Sequence, residues 1–224
     1  MAHDQDHTPI DHDESVELQA IERWKEAQRL QMQQRFDGAI RLYQESIALY
    51  PTAEAHTFLG WTYSMMGQLH EAIQECLEAI RVDPRFGNPY NDIGAYLIEL
   101  GRPDEAIPYL QKAMIAERYE CYHYPHFNMA RVLEHQGKWH AALKEYRTAI
   151  THAPDQQYVR HVEQAIDRLI GLLNPSFTTA RALEQHGQWP EAIQAYRSAI
   201  AQAPDEQLVK YVVQAMYRLI GQMN

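Results

Sequence analysis

Small residues recur along this chain at a fixed phase inside a largely polar background. Ala27, Gly60, Gly94, Ala130 and Ala180 are each followed twelve residues later by an alanine: Ala39, Ala72, Ala106, Ala142 and Ala192. Seven beyond those stand Ser46, Ala79, Ala113, Ala149 and Ala199. A larger residue falls four after each second alanine, at Tyr43, Cys76, Leu110, Tyr146 and Tyr196. Apolar and small positions three to four apart predict helices, and small side chains let two helix axes approach to roughly 8–10 Å. Between the two helices of each unit come Gln34, Gly67, Gly101, Gly137 and Gly187, where glycine supplies the left-handed turn that ends a helix. Pro51, Pro84, Pro154 and Pro204 then stop each second helix, and Arg118 alone breaks that rule. Five antiparallel helical hairpins follow from this spacing. Alternating β-branched runs bounded by turn residues are missing, so the chain reads as all-α.

The first helix is expected from Ser15 to Gln34 and its partner from Phe36 to Leu49. Asn88-Pro89 opens the third hairpin, with proline acceptable in a first turn. A short insertion, Tyr119-Glu120-Cys121-Tyr122, precedes the fourth. Residues 125–174 and 175–224 then align without gaps as a duplication, each copy adding a third helix at 155–172 and 205–222. Asp155 and Asp205 are suited to cap those helices. Two packings remain open for the inner one: capping the fourth hairpin, or pairing with 175–187. The domain reading is a tail at 1–13, three hairpins over 14–122, and hairpin-plus-helix units at 123–174 and 175–224.

With Leu59 and Tyr63 in the second unit, the ladder resembles the tetratricopeptide repeat over roughly Ala20 to Pro204. That resemblance implies a right-handed superhelical solenoid of hairpins whose first helices line a concave groove. The groove positions fall three before and one after each small first-helix residue, with some contribution a turn either side. They select Trp24, Gln28, Trp61, Met65, Asn88, Asn91, Tyr124, Phe127, Arg131 and Arg181 as partner-binding candidates. Rings and amides of this kind suit an extended peptide. The alternative is that Trp24, Phe127 and Phe177 seal neighbouring hairpins. Some family members grip a terminal carboxylate of chaperones with lysines, asparagines and arginine. Asn91 and Arg131 are the nearest counterparts, but Trp24, Thr57 and Phe127 stand where clamp lysines belong.

The formal charge of −10 argues against nucleic acid and favours solubility, or a basic partner. Two cysteines form no disulfide framework, and Cys76 takes a core position. No apolar run approaches the roughly 20 residues of a membrane span, so no membrane partner and a cytoplasmic location are expected. Residues 1–13 are acidic and contain His3, His7 and His12, which reads as a solvated tail. Phosphate loops, Gly-x-Ser-x-Gly turns and His-Glu-x-x-His helices are lacking, so neither catalysis nor a cofactor is expected. The functional expectation is a protein-interaction scaffold for a protein or peptide partner. Its rival is a metal or small-ligand sensor built from Cys121, His123 and His126, within the 119–127 cluster. The histidines there are expected to face solvent beside core tyrosines.

Comparing the duplicated third helices, His161, Glu163 and Asp167 become Tyr211, Val213 and Tyr217. A terminal helix normally turns a polar face outward. The more apolar outer copy therefore suggests a homodimer through Tyr211, Val213 and Tyr217.

Overall fold

The computed structural model describes residues 12–223, and the stretch 1–11 of the expected tail, with His3 and His7, lies outside them. Those residues form α1 (His12–Met32), α2 (Phe36–Leu49), α3 (Ala53–Met65), α4 (Leu69–Val82), α5 (Asn88–Glu99) and α6 (Pro103–Ala113). They continue with α7 (His123–His135), α8 (Trp139–Thr151), α9 (Gln156–Leu173), α10 (Pro175–Gln185), α11 (Trp189–Gln202) and α12 (Glu206–Gln222). No strand occurs among the described residues, only one bridge between Phe86 and Arg118. The fold is all-α.

The ladder residues form the core. Every alanine of the two ladders, and Tyr43, Cys76, Leu110, Tyr146 and Tyr196 beside them, is buried. A methyl group at Gly60 would come within 2.9 Å of the Ala72 carbonyl, and one at Gly94 within 2.4 Å of Leu110. The partner helix comes that close, by its backbone at Gly60 and by the Leu110 side chain at Gly94, because no side chain stands between. Gly67, Gly101, Gly137 and Gly187 all take φ between 69° and 76°, and Gln34 takes φ 59° in the same turn. There the chain doubles back through one repeated bond, such as Gln68 N–H to the Tyr63 carbonyl at 3.0 Å.

Two compact units divide the chain, the first ending at Asn128 and the second beginning at Met129, so the boundary falls inside α7. In the first unit α1–α2, α3–α4 and α5–α6 pair as hairpins, with α2 on α3 and α4 on α5. In the second, α9 packs on both α8 and α10, and α10 also pairs with α11. Capping and pairing are thus combined in one helix. Asp155 and Asp205 accept from the Tyr158 and Leu208 amides at 2.8 and 2.9 Å, which fixes where α9 and α12 begin.

Candidate functional site

The insertion shapes the first unit. After α6 the chain folds back beside the segment ahead of α5, where Gly87 N–H donates to the Arg118 carbonyl and Arg118 N–H to that of Arg85. Gly87 has no side chain because Tyr119 occupies the space, 2.5 Å from where a Cβ would stand. Arg118, the residue that replaces the proline, reaches Asp83 and Glu54 with its guanidinium and lies 5.1 Å over the Phe86 ring. The Arg85 backbone N–H, aided by Arg118, holds the Asp83 carboxyl below its usual range. A break in the repeat has become a fastening between α3, the end of α4 and the insertion.

Above this fastening lies a cavity of about 350 Å³. Thr57, Phe58 and Trp61 line it from α3, Asn88, Asn91 and Asp92 from α5, and Phe86, Tyr119 and Cys121 from the connecting segments, with Tyr124 from the start of α7. Trp61 and Tyr124 remain 43% and 46% exposed at its mouth, backed by the Phe58 and His123 rings at 5.9 and 4.2 Å between ring centres. At its base, Asn128 donates to Asn91 Oδ1 at 3.1 Å, and Asn91 donates onward to Asp92 Oδ1 at 3.2 Å. This relay orients the Asn91 amide. Burial pushes the Asp92 carboxyl up to about 7, with the Asn91 bond opposing the rise. The Cys121 thiol is also raised, mainly by burial.

Four of the sequence candidates, Trp61, Asn88, Asn91 and Tyr124, therefore meet in one pocket. Gln28 lines a neighbouring depression with Trp61, and Met65 is exposed and accepts from Gln31 at 3.7 Å. Trp24 is set apart: its ring packs edge-on against Phe58 at 5.5 Å and helps seal the first two hairpins. Phe127 is partly buried and lines none of these depressions. The groove positions do not select Phe58, Phe86, Tyr119, Asp92 or Asn128. Asp92 is two before Gly94, off the counted face, and its acidic character is the one signal that marks it.

The histidines of the 119–127 cluster do not both face solvent. His123 at the start of α7 is 5% exposed, with the Tyr124 ring 4.2 Å from its own, and His126 keeps partial exposure. No group of three His, Cys, Asp or Glu side chains able to hold a metal occurs among the described residues. The Cys121–His123–His126 sensor thus lacks a gathered ligand set.

In the second unit Arg131 lies on α7 and Arg181 on α10. Arg181 is tied to Asp167 and Glu184 at 2.5 and 2.8 Å, leaving its charge compensated within the unit. Phe177 is fully buried against Tyr196, 5.9 Å between ring centres. Tyr211 departs from the outward face suggested for self-association. It is 9% exposed beneath the Arg147 guanidinium, 4.7 Å from its ring. Val213 is half-buried and Tyr217 is 65% exposed, so of the three substitutions Tyr211 alone is withdrawn from the surface.

The sequence matches the tetratricopeptide repeat family model over residues 25–89, 91–157 and 176–212, and the chain belongs to that family. It is 31% identical over 80 residues to small glutamine-rich tetratricopeptide repeat-containing protein 2 of Mycosarcoma maydis, covering 35% of this chain and 23% of that protein. The chain thus spans about a quarter of that curated relative. Among solved structures, pilF of Pseudomonas aeruginosa is similar with a TM-score of 0.62 at 17% identity, over 93% of this chain and 90% of that one. YrrB, described as a TPR protein with an unusual peptide-binding site, is similar with a TM-score of 0.53 at 20% identity, over 87% and 92%. These likenesses establish the fold as a TPR-like solenoid. No described helix is long and apolar enough to cross a membrane.

Proposed function

We propose that this chain is a protein-interaction scaffold that holds a peptide segment of a partner in the pocket of α3, α5 and the start of α7, with no chemistry of its own. The observation that carries the reading is the pairing of two exposed rings, Trp61 and Tyr124, with an Asn91 amide oriented from behind by Asn128. Rings contribute contact area at low entropic cost, and a fixed amide can bond a peptide backbone. Membership of a family that acts through protein contacts supports it, as does the description of YrrB as peptide-binding. Affinity capture with the full chain tests it. Trp61→Ala and Tyr124→Ala truncate exposed rings and should leave thermal unfolding nearly unchanged while reducing capture of a specific partner at least tenfold. Undiminished capture by both variants would remove the pocket from the account.

A further inference from the structure

Five rings and one carboxylate share the first unit's pocket, and no lysine, arginine or histidine is among its lining residues. We infer that this pocket takes a cationic side chain, arginine or lysine, from a basic segment of the partner, with Asp92 as its counter-ion and the Trp61 and Tyr124 rings beside the charge. The inference rests on the reading that the pocket binds peptide, and adds to it the charge of what is bound.

Three alternative occupants meet Asp92 differently. A peptide carboxylate would face a second carboxylate with no basic group in the pocket to offset it. A neutral apolar side chain would cover Asp92 and remove its remaining water without supplying a partner, which is costly whether the carboxyl stays ionised or takes up a proton and leaves its hydroxyl unbonded. A cation removes that cost. Its attraction to aromatic faces adds to the preference, the more so in a site shielded from water.

The chain's own charges agree. Asp92 has one hydrogen-bond partner, the neutral Asn91 amide, and no ion pair among the described residues. Burial favours the neutral form of its carboxyl, and an arriving cation would favour the ionised one. Arg118, the guanidinium beside Phe86, is already engaged by Asp83 and Glu54. Its position 5.1 Å over that ring shows that a guanidinium fits against an aromatic of this same set. About 350 Å³ accommodates one long side chain with part of its backbone. The net charge of −10 draws basic segments toward the molecule at long range.

Nuclear magnetic resonance of the full chain tests the inference with two small probes, N-acetyl-arginine methylamide and its neutral isostere N-acetyl-citrulline methylamide. The Trp61 indole signal, assigned with Trp61→Phe, reports occupancy. The arginine probe should shift it saturably, the citrulline probe should bind about tenfold more weakly, and Asp92→Asn should abolish the difference. The Asn91 bond needs only an acceptor at position 92, so Asp92→Asn keeps that contact and should fold. Equal binding of the two probes, a preference that survives Asp92→Asn, or no saturable shift with either would overturn the inference. The peptide-binding reading itself fails on a different result, capture that is unchanged in Trp61→Ala and Tyr124→Ala.

Discussion

Tyr43 donates its hydroxyl hydrogen to Gln31 Oε1 across the first hairpin at 2.6 Å, deep in the core. The same bond, from a second-helix tyrosine to the residue twelve before it, recurs from Tyr146 to Glu134 at 3.1 Å and from Tyr196 to Glu184 at 2.5 Å. In the second and third hairpins Cys76 and Leu110 fill the position and need no partner. The ladder therefore admits two solutions: an apolar plug, or a tyrosine whose hydroxyl is satisfied by the helix it packs on. In the second unit the acceptors are carboxylates that also bind Arg168 and Arg181 at 2.8 Å each, making the contact part of a charged network.

Removing those hydroxyls should separate the two kinds of acceptor. Tyr196→Phe leaves Glu184 still paired with Arg181 and should cost about 1 kcal/mol. Tyr43→Phe strands the carbonyl of Gln31, which is only 2% exposed, and should cost about 2 kcal/mol. Denaturant unfolding of the two variants measures this, and the opposite order would contradict it.

Gln34 stands where the other hairpins have glycine, at φ 59°. A side chain in the left-handed region costs about 1 kcal/mol, partly offset by the extra freedom glycine gives the unfolded chain. Gln34→Gly should raise stability by about 0.5 kcal/mol, read as a higher melting temperature. Gly101→Gln, the reverse change at φ 72°, should lower it.

Asp92 gives the stability a definite pH dependence. Its carboxyl titrates near 7 when folded, against 3.8 for the free side chain. Between those values the folded chain retains a proton that the unfolded chain has lost. Stability due to this group is thus greatest below pH 4, falls as pH rises to about 7, and is flat above. Asp92→Asn removes the slope. At about pH 8 the variant should be more stable than the parent by roughly 2–4 kcal/mol, and near pH 3.5 the two should converge. A constant difference across that range would contradict the burial of this carboxyl.

Tyr211 and Tyr217 should behave as opposites. Tyr211→Ala opens a space beneath Arg147 and should destabilise the second unit by about 3 kcal/mol. Tyr217→Ala removes an exposed ring and should change stability by less than about 0.5 kcal/mol. Thermal unfolding distinguishes them, and equal effects would mean that Tyr211 is not packed within its own unit.

The hairpins are legible in the sequence because their constraint is local. Gly60 sits against the Ala72 backbone and Gly94 under the Leu110 side chain, the turn glycines take a conformation other residues resist, and Asp155 and Asp205 cap as their position after proline suggests. The same counting finds Trp61, Asn88, Asn91 and Tyr124, since the groove phase follows the ladder. The remainder of the pocket is not periodic. Tyr119 and Cys121 reach it because the insertion folds back against Gly87, and that path depends on a long-range fit between Gly87 and Tyr119. His123, which helical spacing alone leaves exposed, is buried as well. Tyr211 shows the corresponding limit for the duplication. Aligned positions inherit a helix face, but what covers that face, here Arg147, comes from neighbours.

Whether a partner enters the pocket is read by site-specific photo-crosslinking of the full chain to it. A benzophenone amino acid placed at position 61, in the pocket's mouth, is compared with one at position 217, exposed on α12. Position 61 should give a discrete adduct, weakened when Asn91 is also changed to alanine, and position 217 none of comparable yield. A partner that crosslinks at 217 but not at 61 would contradict binding in the pocket.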